Sequence, residues 1–229
     1  LVTIGTTEDA FTAISAGAYE GMCEVALRPG VTSPGHLSAR LSTMDAVVIG
    51  PGFPVDECYG ALLHELLGGM DVPHVVDADG LNHMARMRAD WSEGRQRIVT
   101  PHPGEAARLL GLSNGEVQAD RLGSVQALAR LTKGVAVLKG AHTVICSQVP
   151  RWGVCPAGNP GMASAGMGDV LAGIAGALLA RGLDAEAAAR AAVHWHGLAG
   201  DLALTQRTEN ALLARDVIGC LEEVERGLC

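Results

Sequence analysis

The sequence predicts an α/β fold with a mainly parallel central sheet that is flanked by helices on both faces. Short apolar runs alternate with helical patterns along most of the 229 residues, and this alternation is typical of βαβ units. The 30 glycines gather at the ends of the apolar runs, where strands turn into helices and the backbone needs conformational freedom. With 48% hydrophobic residues, the chain can build the core of one domain, residues 1–229.

Strands are predicted where short runs of apolar or β-branched residues end at turn residues. They cover residues 1–4, 22–27, 46–49, 74–76, 97–100, 135–138, 143–146 and, as a weaker pattern, 148–154. The last two are separated by polar residues and favour a local antiparallel hairpin. The first strand opens the chain without an initiator methionine, so we expect a fragment or a processed piece of a longer polypeptide.

Helices are predicted where apolar residues recur at spacings of three and four. They cover residues 8–18, 34–42, 55–68, 80–87, 104–110, 114–132, 168–181, 185–205 and 211–225. Most of them lie between two predicted strands, so each of these is expected to connect a parallel pair.

Composition excludes several classes of protein. A net charge of −8 argues against a general nucleic-acid binder, which needs a basic face. No signal peptide and no apolar run of membrane-spanning length occurs. The six cysteines show no metal-binding spacing and are expected to be reduced thiols of a cytoplasmic protein. P-loop and dinucleotide-binding glycine motifs are also absent from the sequence.

The most informative pattern is a loop with four glycines, Gly158, Gly161, Gly166 and Gly168, that runs directly into an apolar helix. The first turn of a helix offers unpaired N–H groups and the positive end of the helix dipole, which suits phosphate. Asp169 lies at the junction, where it either caps the helix or acts as a catalytic base beside a phosphate. The pattern indicates a protein that handles a nucleotide or another phosphorylated ligand.

Loops that follow the predicted strands are further candidates, because ligands of parallel α/β folds bind beyond the carboxyl ends of the strands. Gly50-Pro51-Gly52 is a tight turn that either is structural or lets the backbone approach a ligand. Asp77 and Asp79 follow the next strand. They either hold Mg²⁺ or, in the case of Asp79, cap the helix that follows.

Two later loops carry charged or titratable side chains at strand ends. His102 stands between two prolines, which places it rigidly, whether its role is structural or functional. Glu105, in the first turn of the next helix, can interact with the helix dipole or help to bind a metal. Lys139 ends a buried strand and precedes a glycine. Its ammonium group can reach phosphate oxygens, unless it is an ordinary surface lysine in a hairpin turn.

Taken in order, these loops resemble those of one family, the ADP-dependent NAD(P)H-hydrate dehydratases of the ribokinase-like superfamily. The resemblance covers nearly the whole chain, and its most specific parts are Thr-Pro-His-Pro-Gly-Glu and Gly-x-Gly-Asp. The matching loops are Gly50-Pro51-Gly52, Asp77-Ala78-Asp79-Gly80-Leu81-Asn82, Thr100-Pro101-His102-Pro103-Gly104-Glu105, Lys139-Gly140-Ala141-His142-Thr143 and the glycine loop that ends at Gly168-Asp169.

Members of this family repair hydrated nicotinamide cofactors. The resemblance implies that a nucleotide converts the C6 hydroxyl of (S)-hydrated NADH or NADPH into a phosphate leaving group, and that elimination then restores NAD(P)H. Bacterial members use ADP and release AMP and phosphate, whereas eukaryotic members use ATP. The implied cofactors are therefore ADP or ATP with Mg²⁺, and the implied partner is a small molecule rather than nucleic acid or membrane.

The resemblance also implies roles for single residues. Asp169 is the base aimed at the C6 hydroxyl, and the amides of Gly166 and Gly168 form an anion hole for the phosphoryl group. Gly52 and His102 contact the hydrated dinucleotide. The nucleotide is bound by Lys139, Gly140, Ala141, His142, Thr143, Asn159, Gly161 and Gly168, and the candidate Mg²⁺ ligands are Glu105 and Asp77.

The chain departs from the family pattern at two positions. Met167 stands where the family commonly has threonine or another small polar residue, and the backbone role of the anion hole survives this change. Phe53-Pro54 stands where the family commonly has Leu-Gly, which alters contacts on the substrate side. Family members often form tetramers, so a homo-oligomer is expected.

Family members also carry residues before the position of Leu1, including a strand and a Gly/Ala-rich segment that lines the substrate site. A ribokinase-like fold that lacks its N-terminal segment is therefore expected, and an upstream NAD(P)H-hydrate epimerase domain is a candidate partner. Two other functions stay open: an ATP-dependent kinase of a small hydroxymethyl compound, and a nucleotide-binding module without catalysis.

Overall fold

The computed structural model describes residues 1–18, 20–28, 30–88, 91, 96–149 and 151–228, and its larger sheet has six strands. These are β3 (Val47–Ile49), β4 (His74–Val76), β5 (Arg97–Val99), β6 (Val135–Leu138), β7 (Val144–Cys146) and β8 (Trp152–Val154), in this order across the sheet. The pairs from β3 to β6 are parallel and the last two are antiparallel. This confirms the mainly parallel sheet and the terminal hairpin.

The first two strands form a parallel pair of their own, β1 (Thr3–Thr7) and β2 (Met22–Leu27). The sequence pattern suggested a single sheet, and β1 begins two residues later than predicted. Its ladder starts where Thr3 lies opposite Met22, while Leu1 and Val2 remain exposed. The apolar residues Leu1 and Val2 therefore did not predict the start of the strand correctly, because their side chains are not buried.

Ten helices lie in the described part of the chain. They are α1 (Glu8–Ser15), α2 (Pro34–Leu41), α3 (Glu57–Gly69), α4 (Ala78–Met87), α5 (Pro103–Leu110), α6 (Asn114–Ala119), α7 (Arg121–Thr132), α8 (Met167–Ala180), α9 (Ala185–Ala203) and α10 (Ala214–Leu228). A short 3-10 helix, Pro160–Met162, precedes α8, and a second one, Glu209–Ala211, lies between α9 and α10. No helix among the described residues combines the length and the apolar character that crossing a bilayer requires.

The predicted single helix over 114–132 is wrong, because the chain divides it at Asp120. This residue has φ −135° and ψ 74°, ends α6 and begins α7. Its carboxylate accepts a hydrogen bond from the backbone N–H of Gly123 at 2.8 Å. An aspartate side chain competes in this way with the backbone and so favours a helix start over a helix interior.

Apolar layers cover both faces of the six-stranded sheet. Alternate strand residues point to opposite faces, so that Val76, Val99 and Leu138 pack with the helices from α2 to α7. Val75 and Ile98 pack instead under α8 and α9. All five side chains are fully buried, which confirms the two-faced helical cover and explains why these strands are apolar throughout.

A buried polar contact joins the amino ends of β4 and β5. Arg97 donates a hydrogen bond from Nε to His74 Nε2 at 2.9 Å and from Nη1 to the Thr132 carbonyl at 2.8 Å. His74 donates from Nδ1 to the Val72 carbonyl while its Nε2 accepts from Arg97, and only a neutral imidazole can do both. Burial lowers the pKa of His74 to about 4, so this edge of the sheet is built around an uncharged histidine.

Candidate active site

At the opposite edge, the carboxyl ends of β4 and β6 bring two charged side chains together. Asp77 directly follows β4 and Lys139 directly follows β6. Lys139 Nζ donates a hydrogen bond to Asp77 Oδ1 at 2.7 Å. The Asp77 side chain is 1% exposed and the Lys139 side chain 18% exposed. The alternative of an ordinary surface lysine is therefore wrong.

Glu105 adds a second carboxylate to this pair. It lies in the first turn of α5, and its Oε2 is 3.8 Å from Lys139 Nζ. The same Oε2 accepts a hydrogen bond from the backbone N–H of His102 at 2.8 Å. One ammonium group thus faces two buried carboxylates, one directly after β4 and one in the helix after β5. The site therefore has an excess of negative charge.

His102 has the structural role that the sequence left open, and it also keeps an exposed face. It is the N-cap of α5, where its Nδ1 accepts from the backbone N–H of Gly104 at 3.0 Å. With the return bond from Glu105 it completes a capping box. Its Nε2 lies 3.4 Å from Glu105 Oε1, and half of the side chain remains accessible.

The position of Asp77 settles one of the alternatives for the acidic pair. Asp77, not Asp79, occupies the N-cap position of α4, and its side chain makes no capping bond. Asp79 instead accepts from Asn82 Nδ2 at 3.1 Å, so the prediction that it caps the helix is wrong. The second oxygen of Asp77, Oδ2, is buried and has no hydrogen-bond partner among the described residues.

The glycine loop delivers Asp169 to the same place. Gly166 is the N-cap of α8 with φ 84°, a conformation that glycine adopts without strain. A methyl group added at Gly168 would lie 3.1 Å from Lys139 Nζ and 3.6 Å from Asp77 Oδ2. The absence of a side chain at this position is what lets the ammonium group approach the start of the helix.

The N-cap of α8 is Gly166, and Asp169 is the third residue of the helix, so the alternative that Asp169 is the helix cap is wrong. Its side chain is open to solvent on one side. Partial burial raises the pKa of Asp169, the negative charge of Asp77 raises it further, and the Lys139 ammonium opposes both. A carboxylate with a raised pKa at a helix N-terminus is a better proton acceptor than a free one.

The predicted nucleotide residues after Lys139 form the turn between β6 and β7. Gly140 has φ 131° and His142 has φ 53°, and the Thr143 hydroxyl donates to the Gly140 carbonyl at 3.2 Å. Gly140, Ala141 and His142 are exposed. The turn therefore presents backbone groups to the solvent beside the buried lysine.

The other two predicted nucleotide residues lie before α8. Asn159 donates from Nδ2 to Asp201 Oδ1 at 3.0 Å, and the Gly158 N–H donates to Asp201 Oδ2 at 2.9 Å. Asn159 Oδ1 is buried without a partner among the described residues. Gly161 is buried, and a methyl group there would lie 2.8 Å from the Glu209 carbonyl oxygen. Asp201 of α9 thus anchors the start of the glycine loop.

The Gly-Pro-Gly turn combines the two roles that the sequence left open. Gly50 has φ 126°, and a methyl group there would lie 1.8 Å from the Asp77 carbonyl oxygen. It is therefore structural and lies directly against the backbone of Asp77. Gly52 has φ 64° and faces open space, which leaves it accessible to a ligand.

Sequence reasoning missed two residues near the site. His196 of α9 hydrogen-bonds the backbone of Met167, and burial lowers its pKa to about 4. Its Nε2 has no partner in the described chain. Arg121 of α7 donates from Nη2 to the carbonyls of Leu138 and Lys139. Arg121 belongs to none of the sequence motifs, and the helix start beside it is visible only in the capping geometry of Asp120.

The fold and site together define the class of protein. The chain has the architecture of the ribokinase-like superfamily, with charged groups gathered at the carboxyl edge of the sheet. A solved ribokinase-like protein from Enterococcus faecalis superposes with a TM-score of 0.80 over 99% of this chain and 77% of that chain, at 24% identity. At this identity the likeness shows the fold alone.

The family model for NAD(P)H-hydrate dehydratase matches residues 1–222, and the chain belongs to this family. A bifunctional NAD(P)H-hydrate repair enzyme from Coxiella burnetii is 42% identical over 95% of this chain, which spans 43% of that relative. An ADP/ATP-dependent NAD(P)H-hydrate dehydratase from Bacillus subtilis, co-crystallised with ATP and Mg²⁺, superposes with a TM-score of 0.80. The two are 28% identical, over 98% of this chain and 78% of that one.

Proposed function

We propose that this chain catalyses the nucleotide-dependent dehydration of (S)-hydrated NADH or NADPH. The observation that carries the proposal is the position of Asp169 on the first turn of α8, beside the pair formed by Lys139 and Asp77. Family membership supports the substrate, and the ADP/ATP-dependent relative from Bacillus subtilis supports the nucleotide. With ADP as the donor, the products are NAD(P)H, AMP and phosphate.

The proposed role of Asp169 is general-base assistance. A carboxylate with a reference pKa of about 3.9 is too weak to deprotonate an alcohol outright. It can take the proton while the bond between the C6 oxygen and phosphorus forms and the bond to the leaving nucleotide breaks. The pKa of Asp169 is raised. This favours the transfer, because the efficiency of a general base increases as its pKa approaches the working pH.

The start of α8 is proposed to stabilise the migrating phosphoryl group. The first N–H groups of a helix have no partner within the helix and carry the positive end of its dipole. The amides of Gly166 and Gly168 are therefore assigned to the anion hole. Gly52 and the exposed edge of His102 are assigned to the hydrated dinucleotide, since both face solvent at the same edge of the sheet.

The remaining nucleotide residues keep the roles that the sequence analysis gave them, as proposals. The exposed turn of Gly140, Ala141, His142 and Thr143 offers backbone groups to the nucleotide. Asn159 and Gly161 belong to the loop that leads into α8. The buried, unpartnered Oδ1 of Asn159 is an acceptor that a nucleotide donor can satisfy.

The negative charge of this site suits Mg²⁺, although the protein groups in the described part of the chain do not by themselves form a complete set of ligands. No cluster of three or more potential ligands occurs among the described residues, and Mg²⁺ usually binds one or two carboxylates together with substrate phosphates. Glu105 is already engaged by Lys139 and the His102 backbone, whereas Asp77 Oδ2 has no partner. We therefore assign Asp77 Oδ2 to the ion and Glu105 to a supporting role. The ion, when bound, neutralises phosphate charge.

The substitution Asp169→Asn tests the proposed function. The variant should lose at least about a hundredfold in the rate at which NADH absorbance recovers from hydrated NADH and ADP, with nucleotide affinity nearly unchanged. Asp79→Asn is the matched control, since the hydrogen bond of Asp79 within the described part of the chain is to Asn82, and it should retain activity. Near-normal turnover by the Asp169 variant would refute the assignment of the base. A stable phosphorylated product from the wild-type protein would indicate a kinase instead.

The bifunctional relative supports a further proposal about partners. That relative is a bifunctional NAD(P)H-hydrate repair enzyme, and we propose that this domain works together with a second repair activity, the epimerase expected from the sequence. The homo-oligomer, the tetramer and the cytoplasmic location stay predictions from the sequence. Sedimentation velocity on the purified protein tests the first two.

A further inference from the structure

Arg121 lies against the turn that follows β6. Its Nη2 donates to the Leu138 carbonyl at 3.1 Å and to the Lys139 carbonyl at 3.4 Å. Its Nη1 donates to Gln118 Oε1 at 2.9 Å. A methyl group added at Gly140 would lie 3.1 Å from Nη1, so the guanidinium packs directly on the glycine backbone. The φ of 131° at Gly140 is what favours glycine at this turn, and the guanidinium lies against it.

The charge of Arg121 is not balanced within the described part of the chain. The two acceptors on the turn are neutral carbonyls and the third is a neutral amide. Desolvation lowers the pKa of Arg121, and no carboxylate offsets it. A guanidinium has five N–H groups, so two remain for another partner. The planar donor fork of an arginine matches the geometry of a phosphate group, so the remaining N–H groups of Arg121 suit an anion.

Lys139 differs from Arg121 in this respect. Its ammonium is bound to Asp77 at 2.7 Å and lies 3.8 Å from Glu105. Two carboxylates therefore neutralise the positive charge of Lys139 in the absence of a ligand. An incoming phosphate would meet the acidic groups around Lys139 as well as its ammonium, whereas beside Gly140 it would meet a cation and neutral backbone groups.

We propose that Arg121 is a nucleotide-recognition residue, which shapes the turn from Lys139 to Thr143 and binds a phosphate of the nucleotide with its remaining N–H groups. This inference rests on the proposed nucleotide-dependent function. Within the described part of the chain, Arg121 is a cation beside this turn that has no carboxylate partner. It lies on α7, outside the sequence motifs. We also expect that binding of the phosphate groups, rather than of the nucleoside, depends on Arg121.

The test compares ADP with adenosine as calorimetric ligands of the wild-type protein, R121Q, R121K and the control R130Q. Arg130 is an exposed arginine of the same helix α7. R121Q should lose at least about tenfold in ADP affinity, since charge-assisted hydrogen bonds are lost, with adenosine affinity nearly unchanged. R121K keeps the charge but not the fork of donors, so its ratio of ADP to adenosine affinity should fall less, by about threefold. R130Q should bind both ligands like the wild type.

Several outcomes would overturn the proposal. Wild-type ADP affinity in R121Q, or an equal loss of ADP and adenosine affinity, would leave Arg121 with a scaffolding role only. If R121Q does not fold, an unchanged affinity ratio in R121K has the same meaning. Failure of the wild-type protein to bind either ADP or ATP would instead refute the proposed function itself, so that the two failures are distinguishable.

Discussion

Lys139 shows most clearly how single residues organise this site. Its ammonium joins Asp77, which is 1% exposed, to Glu105, which is 5% exposed. Buried carboxylates are costly without a cation, because desolvation disfavours the charged form. The sequence correctly indicated a charged strand end, and its assignment of this ammonium to the nucleotide phosphate stays a prediction. It could not reveal the contact with Asp77, which lies 62 residues away along the chain.

At the residue scale, we expect Lys139→Met to destabilise the protein by about 3–5 kcal/mol, because it leaves a buried carboxylate without its partner. The double variant Asp77→Asn with Lys139→Met should recover part of this loss, since it removes the uncompensated charge as well. Urea denaturation of the two variants and of Asp77→Asn alone supplies the complete cycle. Additive losses would contradict the coupling that the 2.7 Å contact indicates.

Elements position the site through their ends. Asp77, Thr100 and Lys139 directly follow β4, β5 and β6, and the helix starts at His102 and Gly166 face the same edge. The sequence predicted most of these ends from turn residues. It missed the division of 114–132, because apolar periodicity continues on both sides of Asp120 and only the capping geometry reveals the break.

At the element scale, the turn after β3 provides a matched pair of glycine substitutions. Gly50→Ala should destabilise strongly, by more than about 3 kcal/mol, because overpacking against a backbone carbonyl adds to a strained positive φ. Gly52→Ala meets open space and should cost only about 1 kcal/mol. Thermal unfolding of both variants checks this. Equal destabilisation would show that the contact between Gly50 and the Asp77 carbonyl is not maintained.

At the scale of the whole molecule, the buried His74 and the partly buried His196 couple stability to pH. His74 supports the amino edge of the sheet and His196 packs beneath the start of α8, and burial lowers the pKa of each to about 4 from 6.5. Between these values the unfolded chain binds more protons than the folded chain. The stabilisation is therefore complete above pH 6.5 and is lost as the pH falls towards 4.

The expected loss is on the order of 3 kcal/mol for each histidine when the pH falls below 4. Urea unfolding at pH 7.5 and at pH 5 measures the upper part of this change. In His74→Gln the side-chain carbonyl can still accept from Arg97, but the group no longer titrates, so about half of the pH dependence should disappear. A variant with the wild-type pH dependence would show that His74 is not held neutral.

The sequence by itself determined the α/β class, the parallel core strands and the loops that carry Asp77, His102, Lys139 and Asp169. These features depend on local patterns of apolar and turn residues, which a chain displays along its own length. Only the tertiary structure decided that Lys139 bonds Asp77 and that Arg121 packs on Gly140. Such contacts join residues from different strands and helices, and their energies depend on burial, which exists only once the layers have packed.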